Sequence, residues 1–169
     1  MKKTIITAIL AAMTLLLIGC SASNERIDLT DPLSGSSILS AADLEAFFKY
    51  GENDTAVLAA SFSMEDTMLK LTAQRGSITI DGNGYTLSGT GDCIIRLDEG
   101  CKLTLNDITV HSGSTAIGCL GSAEIGGENA NIIGVSDGIL CADELIVSEG
   151  SSLVCKGCLL YTSPSPRDS

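Results

Sequence analysis

Tryptophan is absent, and Phe and Tyr supply three residues each, so aromatics make up only 4% of the 169 residues. A sugar-binding platform of stacked indole rings is therefore excluded. Cations are scarce too: 10 Lys+Arg stand against 21 Asp+Glu. That balance rules out an electrostatic binder of nucleic acid, which needs a basic stripe to displace counterions from phosphates. A single histidine, His111, leaves a zinc site with little support. Charged residues are only 18% of the chain and glycine numbers 18, a composition unlike a disordered acidic tail. The length suits about one domain.

The two ends read differently from the middle. Lys2 and Lys3 precede an uncharged apolar run from Thr4 to Ile18. This run is shorter than the ~20 residues a bilayer-spanning helix needs, which favours a cleaved secretion signal over residues 1–19. It closes with Leu17-Ile18-Gly19-Cys20, which resembles the lipobox of bacterial lipoproteins. The resemblance implies cleavage before Cys20, lipidation of Cys20, and membrane attachment through the acyl chains in the extracytoplasmic cell envelope. At the other end, the run from Cys158 to Asp168 resembles a translated transposase sequencing adapter, so residues 158–169 are set aside from fold reasoning. Residues 20–157 keep 7 of the 10 cations and 20 of the 21 carboxylates, a net charge of −13.

Residues 20–37 are Ser-rich, lack periodicity and read as a tether. The domain proper is expected over 38–157. Ser40 is a helix N-cap, Asp43 stands at the third helical position, and Gly51 is a stop. Ala41, Leu44, Phe47 and Phe48 form one apolar stripe, read as core. Beyond Thr55 come short strands separated by glycines, with alternations such as Ile78-Thr79-Ile80 and Leu103-Thr104-Leu105. A 22-residue step aligns Ile95, Ile117 and Ile139. It also aligns Leu97 with Cys119 and Cys141, Leu103 with Ile125 and Val147, and Val110 with Ile132 and Val154. A slightly longer turn precedes them, through Leu69, Leu71, Ile78, Ile80, Tyr85 and Leu87. Recurrence of whole columns predicts an all-β solenoid: parallel strands stacked at ~4.8 Å, apolar ladders inside, and Gly and Asn at the corners.

The stretches Ile78–Gly89 and Leu103–Val110 resemble the right-handed parallel β-helix, pectate-lyase-like superfamily, and the helix before them matches its N-terminal capping helix. The resemblance implies architecture over roughly residues 40–157 and carries over no catalytic residue. Nothing after Gly157 reads as a cap for an open solenoid end, whose strand edge would template aggregation, so further turns are expected.

The chemistry-bearing residues are sparse. Cys93, Cys101, Cys119, Cys141 and Cys155 are an odd number and no complete disulfide framework. Cys119 and Cys141 are expected to stack inward on adjacent turns, within disulfide range of one another, and are read as a reduced apolar ladder. His111 ends a strand in a column continued by Ile133 and Cys155, which assembles no general base. Pectate lyases, which the fold resembles, use clustered carboxylates with calcium and a basic residue. Here Asp81-Gly82-Asn83-Gly84 lacks the ligands of an EF-hand loop. The acidic pairs Asp98-Glu99 and Asp143-Glu144 are interrupted in their column by Gly121, and Arg96 is followed outward by Gly118 and Leu140. Calcium is thus unsupported, no cofactor is identified, and no acid/base pair is visible.

Three functions remain open. Non-catalytic binding of an extracellular polysaccharide leads, with only Tyr50 and Tyr85 as stacking rings. A polysaccharide lyase or other glycan-active enzyme with its site in further turns comes second, and a structural stalk or adhesin third. A lyase requires converging columns of Asp/Glu and Arg/Lys; a binder requires aromatic or Asn/Asp ladders on one face; a stalk shows bland Ser/Thr/Gly faces, which the outward positions most resemble.

Overall fold

The computed structural model describes residues 37–158. Strand β1 (Ser37–Ile38) leads into helix α1 (Ala41–Tyr50). The winding then proceeds through β2 (Thr55–Leu58), β3 (Phe62–Ser63), β4 (Leu69–Leu71), β5 (Ser77–Asp81) and β6 (Thr86–Gly89). It continues with β7 (Cys93–Leu97), β8 (Lys102–Asn106), β9 (Thr109–Ser112), β10 (Thr115–Cys119) and β11 (Ala123–Gly126). The long β12 (Ala130–Cys141), β13 (Leu145–Val147) and β14 (Leu153–Cys158) complete it. Every described strand pairing is parallel, and the winding is a right-handed β-solenoid of about 5 turns.

The coil has three faces. One holds β4, β7, β10 and the C-terminal part of β12. The second runs β1-β2-β5-β8-β11-β13. The third holds β3, β6, β9, the N-terminal part of β12, and β14. Alternation places one side of each strand inward: Ile78 and Ile80, Leu103 and Leu105, and Ile132 are essentially inaccessible. The 22-residue columns are the observed register partners, with Ile117 between Ile95 and Ile139, and Cys119 between Leu97 and Cys141. The earlier turn is longer, since Leu69 pairs with Ile95 and Ile78 with Leu103.

Local chemistry accounts for α1. The Ser40 hydroxyl accepts the Asp43 backbone N–H at 3.3 Å and donates to Asp43 Oδ2 at 2.7 Å. Asp43 Oδ2 also accepts the Leu39 N–H one residue before the cap, so the serine–carboxylate pair satisfies one donor that the helix start leaves open and fixes the chain's entry into the helix. Leu44, Phe47 and Phe48 are buried in the same cluster as Leu58, Leu69 and Leu71, so the helix closes one end of the apolar core. The Arg75 guanidinium lies 5.1 Å from the Phe47 ring centre and donates to the Gly51 and Asn53 carbonyls, tying the helix exit to the first turns.

Four expectations need correction. Ile132 pairs with Cys155, not Val154, which points outward and is 48% exposed. Five residues, 148–152, separate Val147 from Leu153, where four, 126–129, separate their partners Ile125 and Ala130, and the extra residue slips the register by one. For the same reason the His111 column continues through Ile133 to Lys156 rather than to Cys155. Tyr85 precedes β6 and is 37% exposed, so Leu87 alone serves the core there. Val147 is in its expected column yet 56% exposed, because no described strand stacks beyond β13.

Candidate functional site

The outward side of the second face is polar along much of its length. Its strands stack Thr55, Thr79 and Thr104 in one column, and Val57, Asp81 and Asn106 in the next. A third column sets Ser77, Lys102 and Glu124 side by side. Lys102 Nζ meets Glu124 Oε1 at 2.7 Å, and the Ser148 hydroxyl donates to the same oxygen at 2.6 Å. Those two bonds hold the Glu124 carboxyl below its ordinary value, Lys102 first and Ser148 second. Glu124 is a committed ion-pair member, with little capacity to take up a proton as a base near neutral pH.

Where this face turns into the third, three successive windings pass through Asn83, Asp107 and Asn129, each with a left-handed backbone (φ 49°, 46° and 58°). Asn and Asp tolerate that conformation better than other L-residues, because a short polar side chain bonds locally. The side chains interlock: Asn129 Nδ2 donates to Asp107 Oδ1 at 3.2 Å, and Asn83 Nδ2 donates to the Leu58 carbonyl at 3.1 Å. Beside them, Asn106 Oδ1 accepts the Glu128 backbone N–H at 3.1 Å. The corner and the face enclose an open groove of about 720 Å³, lined among others by Thr104, Asn106, Asp107, Glu128, Asn129 and Ser148. Hydroxyls, amides and carboxylates thus repeat at the strand spacing of ~4.8 Å.

The corner asparagines were expected from sequence, but the groove was not. The outward columns read as bland because their members lie 22 to 25 residues apart and only the winding brings them together. The signal was the recurrence of a polar residue at Asp81, Asn106 and Glu128, the first two closing β5 and β8 and the third two residues past the end of β11.

The remaining candidates are dispersed. His111 is exposed in β9, and Asp98 is engaged by Lys70 at 3.4 Å. A Cβ on Gly121 would lie 2.9 Å from the Glu99 side chain, so Gly121 does occupy the column between the acidic pairs. Among the described residues no group of three or more His, Cys, Asp or Glu is placed to hold a metal ion. Cys20, the expected signal over 1–19 and the expected tether up to residue 36 lie outside the described residues, while Ser37, expected as the tether's last residue, is strand in β1; no described helix is long and apolar enough to cross a membrane. β14 runs through Cys158, so the first residue of the adapter-like stretch is strand; residues 159–169 lie outside the described residues.

All five cysteines between 93 and 155 are free. Burial drives the Cys119 thiol far above its ordinary value, and the adjacent Cys141 adds to the shift. Burial also raises Cys93 and Cys101. An unfolded chain releases these protons near pH 8.5 while the folded one retains them, so the folded state binds more protons in alkali and loses stability as pH rises. By pH 9.5 the loss should reach about 1.4 kcal/mol for Cys119 alone. Urea midpoints at pH 7 and 9.5 test this, and Cys119→Val should flatten the dependence; an unchanged slope in that variant refutes the assignment.

No family model matches this chain, and no curated protein or solved structure matches it either.

Proposed function

We propose that this protein is a lipid-anchored, extracytoplasmic β-helix of the pectate-lyase-like kind that binds a polysaccharide without cleaving it. The groove along the second face carries the reading. A polymer of sugars repeats its hydroxyls at regular intervals, and a stack of turns offers donors and acceptors at regular intervals to meet them. Thr104, Asn106, Asn129 and Ser148 supply the neutral hydrogen-bonding groups, while Asp107 and Glu128 turn the field negative. Together with the net charge of −13 over residues 20–157, this favours neutral glycans over polyuronates. The one carboxylate held in an ion pair on the face, Glu124, already has its partners. The lipobox-like Cys20 supports placement at the cell exterior.

The test is affinity electrophoresis of the full chain in gels containing neutral xylan, glucan or polygalacturonate. Thr104→Val keeps the branched strand residue, and Asn129→Gly suits the left-handed backbone, so the double variant should fold normally. Loss of two hydrogen-bonding groups should weaken retention about tenfold. Equal retardation of variant and wild type would remove the groove from consideration. Release of unsaturated uronate products from polygalacturonate would replace the binding reading with the lyase.

A further inference from the structure

The outward column of the first face contains a gap. Lys70, Arg96, Gly118 and Leu140 are successive register partners on β4, β7, β10 and β12. Gly118 contributes no side chain between a guanidinium and an isobutyl group, and a Cβ built there would touch only Cys93 Sγ, at 3.3 Å. The gap opens into a cavity of about 400 Å³, separate from the polar groove and lined by Cys93, Arg96, Thr115, Leu120, Leu140 and Ala142 among others. That volume lies within the range of small-molecule sites. Its walls are mainly apolar, and Leu120 (57% exposed) and Leu140 (38%) present bare aliphatic surface to solvent.

Arg96 distinguishes this cavity from a mere surface dent. Lys49, Lys70 and Lys102 each hold a carboxylate within 3.4 Å, whereas Arg96 pairs with none among the described residues. The acid two residues along, Asp98, is taken by Lys70. A half-buried guanidinium at one end of an apolar cleft is a fork of donors suited to a carboxylate. Asp92 on the rim disfavours a second negative charge on the ligand.

We infer that the cavity over Gly118 binds a small amphiphilic monoanion: an aliphatic acid with its carboxylate on Arg96 and its chain against Leu120 and Leu140. This site is independent of the polysaccharide reading. Calorimetric titration of the full chain with octanoate, and with octanol as its uncharged counterpart, tests it. Wild-type protein should bind octanoate saturably at one site. Arg96→Gln should weaken octanoate about tenfold while leaving octanol unchanged, because only the charge-assisted bonds are lost. Leu140→Ser should weaken both ligands, and Thr104→Val/Asn129→Gly neither. Octanoate binding that survives Arg96→Gln undiminished, or wild-type protein that shows no saturable site, overturns the inference.

Discussion

Replacing Gly127 with alanine should leave most of the chain unfolded, or lower its urea midpoint more than any other glycine-to-alanine change at a corner. Gly127 has φ +127°, and an added Cβ would sit 1.9 Å from the Leu105 carbonyl oxygen and 2.6 Å from its carbon. Both atoms are backbone in β8, which is held by parallel ladders to β5 on one side and β11 on the other. No flexible side chain can move aside, so the corner or the ladder must shift. Overpacking and backbone strain each cost roughly 1–3 kcal/mol, and the forced ladder shift adds to both. Against a typical stability of about 5–15 kcal/mol, that loss is severe. Gly100→Ala is the comparison: φ is +75° there but nothing lies within 4 Å, so only the left-handed conformation is penalised, at about 1 kcal/mol. Circular dichroism during urea titration reads both, and equal midpoints would show that close approach of the turns at Gly127 does not matter.

Ile117→Asp should be as damaging, and Val154→Asp nearly silent. Ile117 is fully buried between Ile95 and Ile139, where a carboxylate would have neither water nor a donor. Truncation to alanine alone should cost about 2–5 kcal/mol, and an unpaired charge adds to that. Val154 sits in a strictly 22-residue column with Val110 and Ile132, yet faces solvent in the structure, so its replacement should change stability by less than about 1 kcal/mol. The pair separates the observed register of β14 from the simple repeat. If Val154→Asp unfolds the protein, Val154 rather than Cys155 is the partner of Ile132 and the one-residue slip is wrong.

These substitutions also mark how far sequence reading reaches. The helix cap at Ser40 and Asp43, the inward alternation of Leu103 and Leu105, and the Cys119–Cys141 ladder follow from spacing alone, since each depends on residues one turn or one strand apart. The β14 slip does not, because it depends on the path of residues 148–152, and a corner can lengthen without disturbing the hydrophobic pattern on either side. The exposure of Tyr85 has the same origin: four residues, 82–85, separate Asp81 from Thr86, where only two, 107 and 108, separate their partners Asn106 and Thr109.

The sequence by itself determined that the chain winds, how many residues most windings contain, and which side chains fill the core. Burying one side of every strand imposes a period of two, and stacking equivalent strands imposes a period of one winding. Both are written directly into the order of apolar residues. Only the tertiary structure decided what the outside can do. Thr104 and Asn129 come to border one groove, and Arg96 comes to face Leu140 across Gly118, because corner lengths set the final register and the folded corners enclose the space. Outward positions carry no burial constraint, so nothing in the hydrophobic pattern marks them in advance.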